Sequence, residues 1–158
     1  MPERNRETLE RFFRAFSARD GETMAACYHA DARFTDPVFT LHGSDVGAMW
    51  RMLCQRGKDL RVESSAIQCR DDQGTATWHA WYTFSSTGRP VHNMVHSTFR
   101  METGLIREQT DHFAFWRWSR QALGLSGVLL GWSPLLRNKV RASAASSLKQ
   151  FVDSSHAR

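Results

Sequence analysis

The chain has 158 residues, 41% of them apolar and 23% charged, a balance that argues against a disordered, collagen-like or multidomain protein. The net charge of +5 is uneven: Arg117, Arg120, Arg137, Lys139, Arg141, Lys149 and Arg158 follow Trp116 against Asp153 alone, leaving 14 basic and 15 acidic residues before it. A nearly neutral main body gives no footprint for nucleic acid, and the basic tail reads as a solvated helix face. The segment Met1 to Arg6 is polar, and no apolar run approaches the roughly 20 residues that span a bilayer. Cys27, Cys54 and Cys69 are odd in number and lack C-x-x-C spacing, which fits buried thiols in a reducing cytoplasm, the expected location.

In chain order, Leu9, Phe12, Phe13 and Phe16 repeat at i, i+3, i+4 and i+7 and predict a helix ending near Arg19-Asp20-Gly21. A short helix over Glu22 to Tyr28 is expected next. His29 to Phe39 then reads as turn and extended chain, with Pro37 keeping Asp36 out of helical geometry. Ser44 is the expected N-cap of a third helix carrying Val46, Met49, Trp50 and Leu53 on one face. From Leu60 the period falls to two. Strands are expected over Arg61 to Arg70, Thr75 to Ser85, Pro90 to Met101 and Leu105 to Phe115, separated by turn-rich clusters short enough for hairpins. Trp78, Ala80, Tyr82 and Phe84 share one face of the second strand, and Thr77, His79, Trp81 and Thr83 the other.

After Trp116 the pattern is helical again to Leu123, then a Gly-punctuated apolar stretch runs to Trp132, and Pro134 opens a last helix striped with Leu136, Val140, Ala144, Leu148 and Phe151 or Val152. Helices gathered on one side of an antiparallel sheet make an α+β domain, here a curved sheet closed by helices around a conical pocket. Residues 1–116 are expected to form this domain, and residues 117–158 a helical extension packed on it, closing the wide end of the cone or covering the sheet. Its Leu, Trp and basic residues also suit contact with an anionic membrane surface, the less favoured of the two readings.

The element order, together with the run Phe12 to Gly21 (FFRAFSARDG) and the run His29 to Pro37 (HADARFTDP), resembles the nuclear transport factor 2-like superfamily. Within it, residues 4 to 116 are most similar to the ketosteroid isomerases and the SnoaL-like polyketide cyclases. The resemblance implies a cone-shaped α+β barrel, a pocket for a small hydrophobic molecule, and a homodimer formed through the sheet's convex face. It places Asp36, in Thr35-Asp36-Pro37-Val38, at the isomerase's general base, and Asp111 at the strand aspartate that serves as acid/base in the cyclases. The isomerase's oxyanion-hole tyrosine falls at Phe12, which has no hydroxyl, and its protonated aspartate near His96 or Ser97, so the donors of steroid isomerisation are not reproduced.

The candidate catalytic groups are thus Asp36 and Asp111, with His96 as a donor if a bulge turns it inward. Phe12, Phe16, Trp50, Trp78, Phe84, Phe99 and Phe113 are the candidate apolar walls, and Tyr82, Asn93, Ser97 and Gln109 the polar groups that orient a ligand. A carboxylate among aromatic rings loses hydration, which moves its pKa toward neutral and suits proton transfer beside a carbonyl. Two structural alternatives stand beside this: Asp36 as a turn residue bonding its own backbone, and Asp111 as half of an ion pair with His112. His92 and His96 lie some 13 Å apart on one strand face, too far to share an ion, so no metal is expected, nor any other cofactor. The sequence leaves two functions open: a cofactor-independent acid/base enzyme (isomerase, cyclase or dehydratase) acting on a small hydrophobic carbonyl compound, and a dimeric module that binds an apolar ligand without chemistry.

Overall fold

Leu9, Phe12, Phe13 and Phe16 are all buried along one face of the first helix, α1 (Pro2–Ser17), in a computed structural model that describes residues 2–156. Burying each such side chain contributes roughly 1.5–3 kcal/mol, so α1 is held by its tertiary face. The helix stops where Arg19 takes a left-handed φ of 55°. Asp20 then caps α2 (Gly21–Ala26) by accepting from the Thr23 backbone N–H. This helix is shorter than expected, because Tyr28 opens a strand, β1 (Tyr28–Thr35). A brief β2 (Thr40–His42) precedes α3 (Ser44–Arg56), whose N-cap is Gly43 at φ 65°; Ser44 is the first helical residue and makes no capping bond.

Four long strands follow: β3 (Arg61–Arg70), β4 (Gln73–Phe84), β5 (Arg89–Glu102) and β6 (Leu105–His112). The β5–β6 hairpin turns on Thr103 and Gly104, both at positive φ, as a two-residue turn between twisted strands requires. The six-stranded sheet runs β2-β1-β6-β5-β4-β3, curved and unclosed, and every pair is antiparallel except β1 with β6. That parallel pair sets Phe34 beside Gln109 and draws the Asp36 corner toward the strand carrying Asp111. Irregular register between Ser65 and Gln68, with Ala66 at φ 50°, bends β3.

Beneath the helices the core is an aromatic lattice. The Phe12 ring meets Phe13, Tyr28, Trp50 and Phe99 edge-on at centroid distances of 5.1 to 6.3 Å, and Phe16 lies 5.0 Å from both Trp50 and Trp78. A second cluster, built by Val91, Phe115, Trp118 and Ala122 with Val38, Tyr82, Phe84 and Phe113 against them, covers the other end of the sheet. It forms because the last strand ends at His112, earlier than expected, and the chain turns into α4 (Phe115–Leu123) across β5. Helices α5 (Leu125–Leu130) and α6 (Pro134–His156) complete the tail, with α6 crossing α3 and burying Leu148.

Candidate functional site

Strands β5 and β6 pair Ser97 with Asp111 and Phe99 with Gln109, and strand alternation turns all four side chains to the inner face. Two hydrogen-bonded arms converge on the Asp111 carboxyl. In the first, the Trp78 indole N–H donates to Ser97 Oγ (2.8 Å) and the Ser97 hydroxyl donates to Asp111 Oδ1 (2.5 Å). In the second, the Trp50 indole N–H donates to the Tyr28 hydroxyl (2.7 Å), Tyr28 donates to Gln109 Oε1, and Gln109 Nε2 donates to Asp111 Oδ1 (3.0 Å). Both arms reach Oδ1, and neither uses Oδ2. Asp111 is only 3% exposed, and burial pushes its pKa up to about 7. The donors from Ser97 and Gln109 oppose that rise, and the negative charge of Asp36 adds to it.

Asp36 sits half-buried at the rim, where β1 ends. Its Oδ1 accepts from the backbone N–H groups of Val38 (2.7 Å) and Phe39 (2.6 Å), so the turn reading holds for this oxygen. Burial nevertheless raises its pKa, against the pull of those two N–H groups and of Arg141, whose Nε donates to the Pro37 carbonyl (2.9 Å). Tyr82 stands between rim and interior, packed against both clusters. Its hydroxyl accepts from the Trp118 indole N–H (2.7 Å), and among the described residues its own proton has no acceptor. Burial lifts the Tyr82 pKa, and the charge of Asp36 lifts it further.

The fold therefore brings most of the sequence-derived candidates together, with corrections. His96 does not belong to the group: the β4–β5 register runs unbroken from Gln73 opposite Arg100 to Phe84 opposite Arg89, so no bulge inverts it, and it lies exposed on the outer face beside Thr77 Oγ1 (3.0 Å). Asp111 makes no ion pair with His112; its partners are neutral donors. Asn93 faces inward, half-buried and opposite Ala80, without a side-chain hydrogen bond among the described residues. The walls expected to line a cone pack on one another instead: Phe12, Phe16, Trp50, Trp78 and Phe99 fill the interior, while Phe84 rests edge-on against Trp118 at 5.4 Å. One cleft of about 480 Å³ lies between α1 and β3, and one of about 520 Å³ opens by Trp81 and His92 with Tyr82 in its lining; neither touches Asp36 or Asp111. Sequence reasoning missed Tyr28, Trp118 and Arg141. Alternation of Tyr28, Ala32 and Phe34 with polar neighbours was the available signal for the first; the other two reach the site only through the tail's path.

A family model for the SnoaL-like domain matches residues 9–109. The chain belongs to the SnoaL-like domain family. Solved structures similar to this SnoaL-like chain include an LEH-like epoxide hydrolase of M. tuberculosis, at 18% identity over 85% of this chain and 96% of that one, TM-score 0.61. A candidate polyketide cyclase of Silicibacter sp. matches at 20% identity over 75% and 94%, TM-score 0.62. A candidate ketosteroid isomerase of Kribbella flavida matches at 16% over 72% and 79%, TM-score 0.57. At these identities the likeness establishes the nuclear transport factor 2-like fold and leaves the chemistry to the site. No curated protein matches the chain.

Proposed function

We propose that this protein is a cofactor-independent enzyme that moves a proton on a small hydrophobic carbonyl compound, in an isomerisation, cyclisation or dehydration. Asp111 is the proton-transfer group, Tyr82 the donor toward the developing oxyanion, and Asp36 the second carboxylate that keeps Asp111 from ionising early. The observation that carries this reading is the asymmetry of the Asp111 carboxyl: among the described residues Oδ1 is held by two side-chain donors and Oδ2 by none. A carboxyl poised near neutral pH with one oxygen fixed and one free can take and return a proton without losing its orientation. The tested reaction is deuterium uptake, in heavy water, at carbons next to the carbonyl across a panel of hydrophobic ketones and enones. Exchange by the wild type, reduced by about 10²-fold or more in Asp111→Asn, supports the proposal; equal exchange in both sinks it.

A second reading, a non-catalytic dimeric module for an apolar ligand, is favoured by Phe12 at the place of a catalytic hydroxyl. It expects ligand binding with no exchange. Both readings include a homodimer through the outer sheet face, where Trp81 stacks on His92 at 4.6 Å with the Arg61 guanidinium 4.3 Å over its ring. Light scattering that gives a monomer mass at micromolar concentration removes the dimer from both.

A further inference from the structure

The tail contains two sets of apolar residues with opposite fates. One set, Trp118, Ala122 and Leu148 with the half-buried Val140, Phe151 and Val152, is packed against the domain. The other, Leu125, Leu129, Leu130, Trp132 and Leu135, covers α5 and the start of α6 and is 49 to 79% exposed. This exposure is built into the sequence by glycine. A methyl group at Gly127 would overlap the Ser119 carbonyl and one at Gly131 the Ser119 hydroxyl, so α5 lies on α4 by its glycine edge and turns its leucines outward.

Along the tail's own helices up to Asp153 charge has one sign. Arg89 donates to the Gln121 carbonyl beside Gly124, the Arg120 guanidinium sits 4.8 Å over the Trp116 ring, and that of Arg137 sits 5.1 Å over Phe115. Arg117 and Lys139 lie on the two flanking helices, and no acidic residue occurs between Asp111 and Asp153. An exposed apolar tip of Leu and Trp flanked by basic residues matches the polarity profile of an anionic lipid surface, where Trp settles at the headgroup level and arginines meet phosphate. An acidic protein groove would meet the basic residues equally well but offers less to five exposed apolar side chains.

We propose that the α5–α6 tip inserts into the headgroup region of an anionic lipid bilayer. The insertion is peripheral, since among the described residues no helix is long and apolar enough to cross. It seats the protein tail-first on the surface, and it is independent of the proposed chemistry.

Flotation with phosphatidylcholine vesicles, with and without phosphatidylglycerol, tests it on the full chain. Wild type is expected to float with the anionic vesicles and to release as salt rises, because the attraction is screened. Leu129→Ser with Trp132→Ser should weaken partitioning by about tenfold or more while leaving the melting temperature unchanged, since both side chains are exposed. Arg137→Glu with Lys139→Glu should cost about fivefold per charge on anionic vesicles and leave the weak binding to neutral ones as it was. The proposal is overturned if wild type stays unbound at low salt, or if the serine pair binds as well as wild type. It is equally overturned if that pair instead changes the oligomer mass, which would assign the tip to a second copy of the chain.

Discussion

The rim and the interior each hold a carboxyl group whose pKa is raised by burial, yet they hold it by different means. Asp36 is gripped by backbone N–H groups of its own turn, which exist whenever the turn does; Asp111 is gripped by Ser97 and Gln109, side chains fixed by two further indoles. A carboxylate bonded to its own turn is a structural element that happens to carry charge. One set in a network of neutral donors can change its charge while its neighbours keep their places.

The sharpest break of this comparison is Asp111→Asn, expected to lower proton exchange by about 10²- to 10⁴-fold, against less than about tenfold for Asp36→Asn. The same substitution separates the two groups in stability. A carboxyl whose folded pKa lies near 7, above its unfolded value, supports folding fully below pH 4 and loses that support as pH rises through 7. Thermal melts should therefore show wild type falling relative to Asp111→Asn between those limits, by at most roughly 4 kcal/mol, as the rise of its pKa to about 7 implies. A parallel course would place Asp111 in water.

Next in size is Asp36→Ala, which leaves the N–H groups of Val38 and Phe39 without an acceptor and should cost about 1–3 kcal/mol in chemical denaturation, whereas Asp36→Asn keeps an oxygen there and should cost less. Removing the Asp36 charge should also let Asp111 ionise at lower pH, measurable by carbon NMR of the carboxyl; an unmoved titration would mean that rim and interior do not sense each other. Ser97→Ala should act oppositely, raising the Asp111 pKa and costing about 1 kcal/mol. His96→Ala, on the outer face, should stay within about 0.5 kcal/mol and leave exchange unaltered.

Legibility in the sequence followed the same division. The helix faces and the long strands were readable because period 3.6 and period 2 are imposed on every turn and every pair of residues by burial: Leu9 to Phe16 and Trp78 to Phe84 announce themselves. Asp111 and Gln109 were readable as inward neighbours for the same reason. What was not readable depends on contacts distant along the chain. Tyr28 reaches Gln109 across 81 positions, and Trp118 reaches Tyr82 across 36, so neither hydroxyl partner leaves a local pattern. Nor does composition say whether aromatic residues wall a cavity or fill it; that depends on whether rings from α1 and α3 meet those of the sheet, as Phe16, Trp50 and Trp78 do. The β1–β6 pairing was hidden too, because parallel neighbours need no turn signal between them.

Three indoles in this molecule donate to hydroxyl oxygens: Trp50 to Tyr28, Trp78 to Ser97 and Trp118 to Tyr82. An indole N–H can give a hydrogen bond and cannot take one, so each hydroxyl is forbidden to turn its proton back and must send it onward. For Tyr28 and Ser97 the onward acceptors are Gln109 and Asp111, which fixes the amide orientation of Gln109 as well and makes both arms one-way toward a single carboxylate oxygen. Such a wire cannot carry a proton out by flipping its members. Any proton that Asp111 gains or yields has to cross at Oδ2, and the only hydroxyl of the three still without an onward acceptor among the described residues is that of Tyr82.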